Sequence, residues 1–222
     1  MVFLCLEGST DEWSVALVEN GKVLSELAFD QQSSMAAQLT PAIGQALSAA
    51  ERKIAELNAI VISSGPGSYT GLRIIASTAK GLCLGSGLPL IAIPTLKSLA
   101  WQAIESQKYD CIISMLDARR QDVFCCIYDG QGTEILEPSL ITLTDECFDP
   151  YLNGKVVVCG NGQKKISSYK WASKVQSGPS QCQASTLYGP ARLSFEAKNF
   201  ENIASFSPFY LLPPNITQSK KV

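Results

Sequence analysis

Histidine is absent from all 222 residues of this chain, and that one gap excludes much chemistry. Ser-His and Cys-His nucleophile pairs, imidazole general bases and every metal site that needs an imidazole ligand drop out together. A long hydrophobic run is also lacking. The longest apolar stretch, Leu82 to Ile93, is broken by Gly85, Ser86, Gly87 and Pro89, so it falls short of the roughly 20 apolar residues of a spanning helix. The start, Met1-Val2-Phe3-Leu4-Cys5-Leu6-Glu7, has neither the basic residues nor the apolar length of a secretory signal. No CxxC accompanies the eight cysteines, and reduced thiols in a cytoplasmic protein are expected rather than a disulfide framework. Positive charge is not in excess: 18 Lys and Arg stand against 20 Asp and Glu, a formal net charge of -2. No overall field draws in a phosphate backbone, so direct nucleic-acid binding is not expected as the chain's own task.

What is present reads as a soluble globular α/β chain, with 46% hydrophobic and 17% charged residues. Its length suits one large domain or two small ones sharing an interface. Val2 to Leu6 is a buried-strand pattern, and Trp13 to Val18 leads through Asn20-Gly21 into Lys22 to Phe29, a strong hairpin signal. Ser34 to Arg52 carries apolar residues at helical spacing, with Pro41 and Gly44 as interruptions. Ala59 to Ser63 reads as a strand, Tyr69 to Cys83 as a helix rich in small residues, Leu90 to Ile93 as a strand, and Thr95 opens a further helix. The pattern then restarts: strands Cys111 to Leu116, Val123 to Tyr128 and Thr133 to Leu136, a helix over Thr144 to Leu152, a strand Lys155 to Cys159, and a terminal helix over Leu187 to Phe200. This duplicated βββαβα order predicts two ribonuclease-H-like lobes, residues 1–107 and 108–222, facing each other across a cleft as in actin-like (ASKHA) proteins. That is analogy of fold and carries no activity.

Three groups of residues stand out. Gly65-Pro66-Gly67-Ser68-Tyr69-Thr70-Gly71-Leu72-Arg73 is a glycine-rich loop between a strand and a helix. Such a loop can bring backbone N–H groups to an anion, or it is a tight turn with Ser68 or Thr70 as the helix cap. It fits neither GxGxxG nor a Walker loop. Glu7 and Asp117 end the first strand of each half, where paired carboxylates could position Mg²⁺ through water or serve simply as turn residues. The helix from Thr70 to Leu84 and that from Ser34 to Ala50 could pack tightly inside the chain, or present a nearly uncharged face to a second subunit. Gly160-Asn161-Gly162 is a weak second turn signal. Cys125 or Cys126 fills core space, and Arg119-Arg120, Lys164-Lys165 and Lys220-Lys221 read as solvated surface pairs. The sequon Asn215-Ile216-Thr217 has no meaning in a cytosolic protein.

The run Ser64 to Arg73, continuing into Ala79-Lys80-Gly81-Leu82, closely resembles the signature of the bacterial TsaB (YeaZ) family of tRNA threonylcarbamoyladenosine biosynthesis proteins. Supporting matches are Ser9-Thr10, Ser14-Val15-Ala16-Leu17, Pro94-Thr95-Leu96, Asp117-Ala118-Arg119, Val123-Phe124, Gly160-Asn161-Gly162 and Tyr210-Leu211. The resemblance implies an actin-like fold and a non-catalytic subunit, without cofactor or metal. Its partners would be a TsaD homologue and a TsaE homologue, with a homodimer also open, and tRNA would be met only indirectly through the complex. It places the subunit interface on the two helices, where the apolar stripe supplies Met35, Leu39, Ile43, Leu47, Leu72, Ile75, Ala76, Ala79 and Cys83 as candidates, so that Ala76→Arg should abolish partner binding in a folded chain. Glu7-Gly8 departs from the family's usual Asp-Thr, and Leu212 from its usual Arg, so Glu7 and Asp117 would mark a vestigial cleft. An ATP-dependent actin-like enzyme is the competing reading. A peptidase is weaker, because no metal set or nucleophile dyad is visible.

Overall fold

The computed structural model describes residues 1–30 and 34–213. Pro214, the sequon Asn215-Ile216-Thr217 and the Lys220-Lys221 pair lie outside the described residues. The first sheet contains β1 (Val2–Glu7), β2 (Trp13–Glu19), β3 (Lys22–Phe29), β4 (Ala59–Gly65) and β5 (Leu90–Pro94), in the order β3-β2-β1-β4-β5. β1 is antiparallel to β2 and parallel to β4. Its residues alternate between two cores, Val2, Leu4 and Leu6 on one face and Phe3 and Cys5 on the other, as the period-2 geometry of a strand requires. Asn20 and Gly21 join β2 to β3 with φ of 49° and 83°, the paired positive values that a two-residue hairpin demands.

The second sheet repeats the plan. β6 (Cys111–Asp117), β7 (Asp122–Asp129), β8 (Glu134–Thr142), β9 (Val156–Cys159) and β10 (Val175–Ser177) lie in the order β10-β9-β6-β7-β8. β6 is antiparallel to β7 and parallel to β9, matching β1 in every neighbour. The duplication is complete in the sheets and incomplete in the helices. The expected helix over Thr144 to Leu152 is only a short 3₁₀ turn, Asp149–Tyr151. That stretch has one fully buried anchor, Phe148, packed edge-on against Trp171, and Pro150 at its start cannot extend a helix backwards. β8 runs well past the expected Leu136, and β10 is an additional strand.

Helices α1 (Met35–Ala49) and α2 (Tyr69–Ser86) cover one face of the first sheet, with Leu39, Ile43, Leu72 and Ile75 in the core. α2 starts at Ser68, whose hydroxyl accepts the Gly71 N–H at 3.2 Å, and stops at Gly87, φ 73°, the left-handed cap position that glycine fills without a Cβ penalty. The other face is covered from the far end of the chain, by α4 (Tyr188–Glu196) and the turn before it: Ala184, Leu187, Tyr188 and Ala191 pack on Phe3, Ala16, Val61 and Ile93. α3 (Thr95–Ser106) follows the first sheet in sequence but buries Leu96, Leu99 and Ala103 against Ile112, Leu116 and Val157 of the second. The strands of the first sheet all precede residue 107 and those of the second all follow it, whereas the helices cross between lobes. After α4 the chain returns along the first lobe as a strap: Glu201 N–H donates to Leu90 O at 2.9 Å, Lys80 Nζ donates to Phe206 O at 2.9 Å, and Phe209 N–H donates to Ser64 O at 2.7 Å.

Candidate functional site

The glycine-rich loop is a packing junction. A Cβ on Gly67 would overlap Ser9 O, one on Gly71 would overlap Gly8 O, and one on Gly65, whose φ is 106°, would overlap Phe209 O. Ser68 N–H donates to Ser9 O at 2.6 Å. The loop is thus clamped between the end of β1 and the strap, and Ser68 satisfies one N–H of the α2 terminus. The helix-starting turn read from sequence is formed here, with Ser68 as its cap.

Glu7 does not face the cleft. It is fully buried, and its Oε1 accepts from Ser9 N–H at 2.6 Å, Ser9 Oγ at 2.5 Å and Ser63 Oγ at 3.1 Å. Oε2 has no hydrogen-bond partner among the described residues. Burial pushes this carboxyl above its ordinary value against the lowering effect of the Ser9 and Ser63 bonds, because a buried charge loses its hydration. Cys182, also buried, has its thiol raised by burial and then by the neighbouring Glu7 carboxyl, with a Ser9 hydrogen bond opposing. The expected Glu7/Asp117 pair is therefore not assembled. The buried carboxyl instead links the ends of β1 and β4 through Ser63.

Asp117 does line the cleft, a cavity of about 910 Å³ between the lobes. Lys165 Nζ lies 2.6 Å from its Oδ1, Arg119 N–H donates to the same oxygen at 2.6 Å, and Asn161 Oδ1 accepts the Asp117 N–H at 2.8 Å. Burial is the largest single influence and raises this carboxyl, but the Lys165 and Arg119 bonds and the charges of Lys165 and Lys164 together outweigh it and hold it below the usual range. Arg119 and Lys164 are exposed, as read from sequence, and both line the cleft together with Ser9, Thr10, Ser68 and Thr70. Arg119 and Arg120 take φ of 75° and 47°, a left-handed conformation costing roughly 1–2 kcal/mol for each L-residue. Tyr210, Leu211, Leu212 and Pro213 of the strap form another part of the wall. The Tyr210 ring packs at 4.6 Å on Tyr69, and the Arg73 guanidinium sits 5.0 Å from the centre of the same Tyr69 ring. Among the described residues no three His, Cys, Asp or Glu side chains gather as a metal-ligand set.

The expected interface residues also need correction. Leu39, Ile43, Leu72, Ile75, Ala76, Ala79 and Cys83 are at most 5% exposed, and Met35 and Leu47 are half-buried against them. On an amphipathic helix the apolar stripe faces its own core. The outward faces carry Ala36, Thr40 and Gly44 on α1, and Arg73, Ser77 and Gly81 on α2. A groove of about 410 Å³ runs between them, lined by Ala36, Tyr69, Thr70, Arg73, Ile74, Ser77 and Thr78. The phase of the small residues carried this signal in the sequence. The strap, Ser63 and Cys182 left no such signal.

Two sheets of identical strand order around a cleft, with helices exchanged between the lobes, define a two-lobed actin-like α/β protein. The inorganic polyphosphate/ATP-glucomannokinase of Arthrobacter sp. strain KM shares that fold at TM-score 0.52 and 9% identity, over 88% of this chain and 99% of that one. YeaZ from Pseudomonas aeruginosa matches at TM-score 0.75 and 24% identity, over 95% of this chain and 99% of that one. Residues 22–210 match the family model described as TsaD: tRNA N6-adenosine threonylcarbamoyltransferase. The tRNA threonylcarbamoyladenosine biosynthesis protein TsaB of Haemophilus influenzae is 32% identical over 126 residues, 56% of this chain. That of Escherichia coli is 28% identical over 171 residues, 73% of this chain and 72% of that protein. The chain belongs to the TsaB (YeaZ) family, within the TsaD-like group. It spans about half, 52%, of the length of the Haemophilus relative.

Proposed function

We propose that this chain is a non-catalytic, cytoplasmic scaffold subunit in the formation of N6-threonylcarbamoyladenosine on tRNAs that read ANN codons. It docks on a TsaD homologue, with a TsaE homologue joining the assembly, and meets tRNA through those partners. One observation carries the docking face. Gly44 and Gly81 lie inside α1 and α2 on their outward surfaces, and an added Cβ on either would meet nothing within 4 Å. An exposed glycine in a helix interior costs about 1 kcal/mol relative to alanine. Nothing inside the chain requires that cost, and a second backbone pressed against the face does. No membrane role is proposed: no described helix is long and apolar enough to cross a bilayer.

A catalytic reading through the cleft finds less support, since it needs Glu7 on the wall beside Asp117 and Glu7 lies buried behind it. The test is co-purification with the TsaD and TsaE homologues of the same organism, followed by threonylcarbamoyladenosine formation on tRNA with and without this chain. A complex required for modification supports the reading. Full activity without the chain, or no complex, overturns it.

A further inference from the structure

We propose that Arg73 sets the specificity of the α1–α2 face by taking a carboxylate side chain of the docking partner into the groove between the two helices. This rests on the docking reading above and states the chemistry that the partner must bring. Arg73 and Lys80 are the only charged residues of α1 and α2, and neither helix has an acidic one. Lys80 is tied to the strap, its Nζ donating to Phe206 O at 2.9 Å. Arg73 is exposed, lines the groove, and has no ion-pair partner among the described residues. The face therefore offers one positive charge that nothing in the chain neutralises.

The guanidinium is held in place before any partner arrives. It sits 5.0 Å from the centre of the Tyr69 ring, its Nη1 donates to the Tyr69 hydroxyl at 3.2 Å, and Tyr69 is braced in turn by the Tyr210 ring at 4.6 Å. A side chain already ordered loses less freedom on binding. The bond to Tyr69 uses one of five N–H donors, and the planar fork keeps the rest for a carboxylate. The hydroxyls of Thr70, Ser77 and Thr78 line the same groove and make no hydrogen bond among the described residues, so they can donate to the same anion. A second copy of this chain brings no carboxylate on α1 or α2. Pairing of this face with itself removes water from each guanidinium without compensation from those helices, which is how a charge rejects the wrong partner. An unlike partner with an acidic side chain on its docking helix meets no such penalty.

The test is capture of the TsaD homologue by the full chain, with sedimentation of the chain alone, for the parent and for Arg73→Gln, Arg73→Met, Arg73→Lys and Arg73→Glu. Melting temperatures should stay within a few degrees of the parent's, and Arg73→Met, which keeps a long unbranched chain beside Tyr69, separates a lost charge from lost packing. Arg73→Gln and Arg73→Met should each weaken capture about tenfold. Arg73→Lys should weaken it less, since the charge stays and only the fork is lost, and Arg73→Glu should weaken it most. Self-association should be unchanged or stronger in Arg73→Gln and Arg73→Met. Arg73→Glu should regain capture with a TsaD homologue in which one acidic surface residue is replaced by arginine. Parent-like capture by Arg73→Gln and Arg73→Met, failure of every such charge swap, or loss of self-association in place of capture would overturn the proposal and leave the docking reading standing. A parent chain that captures no TsaD homologue would overturn both.

Discussion

Ser63 Oγ donates to Glu7 Oε1 at 3.1 Å, tying the end of β4 to the end of β1 directly beneath the glycine-rich loop. The carboxyl that accepts this bond is fully buried and its affinity for a proton is raised by burial. A group whose folded pKa lies above its unfolded value contributes most below the unfolded pKa, and that contribution is lost as pH rises through the folded pKa.

Glu7→Gln keeps the shape and removes the titration. Relative to the parent, the variant should therefore gain stability as pH rises from about 4 towards 8, by no more than about 1.4 kcal/mol per pH unit for one proton. Thermal melts across that range check it, and a constant difference between the two proteins would show that Glu7 does not titrate on unfolding.

Ala76 and Ser77 are neighbours on α2 with opposite environments, Ala76 5% exposed in the core and Ser77 on the surface. Ala76→Arg should unfold the first lobe rather than give the folded, binding-defective protein expected from sequence, because a buried unpaired charge is not tolerated. Ser77→Arg should leave the melting temperature within a few degrees and abolish capture of the TsaD homologue. Circular dichroism and pull-down on both variants decide the point.

Gly44 and Gly81 offer the reverse experiment. Gly44→Ala with Gly81→Ala should stabilise the isolated chain by about 1–2 kcal/mol while weakening partner binding, since a methyl at each position holds the second surface away. Urea denaturation and a titration against the partner measure the two effects. Stabilisation with undiminished affinity would place the interface elsewhere.

Phe206 anchors the strap, half-buried against the first core, while its carbonyl accepts from Lys80 Nζ. Phe206→Ala should cost about 2 kcal/mol, below the 3–5 kcal/mol of a fully buried phenylalanine. It should also raise hydrogen exchange at Phe209, whose N–H is held by Ser64 O. Unaltered exchange there would mean that the strap is held independently of Phe206.

Much of the fold was legible because it rests on local rules. Strand alternation, the Asn20-Gly21 turn and the Ser68 start of α2 each follow from the residues at that place, and the repeated order of elements pointed to two like lobes. The residues of the glycine-rich loop were equally visible. Its role was not, since the atoms that forbid a side chain at Gly65, Gly67 and Gly71 belong to Phe209, Ser9 and Gly8.

What the sequence by itself determined, then, is most of the elements, their repeated order and the chemistry excluded by having no histidine. The tertiary structure alone decided which side of each element is inside. It turned Glu7 into the core and Asp117 towards Lys165, and faced the apolar stripe of α2 inward, leaving its small residues out. It also carried α3 and α4 across to the opposite sheets and laid the strap over the loop. The physical reason is that burial depends on what arrives from elsewhere in the chain. Ser63 and Cys182 reach Glu7 from 56 and 175 positions away, and no local pattern of charge or hydropathy records such an encounter.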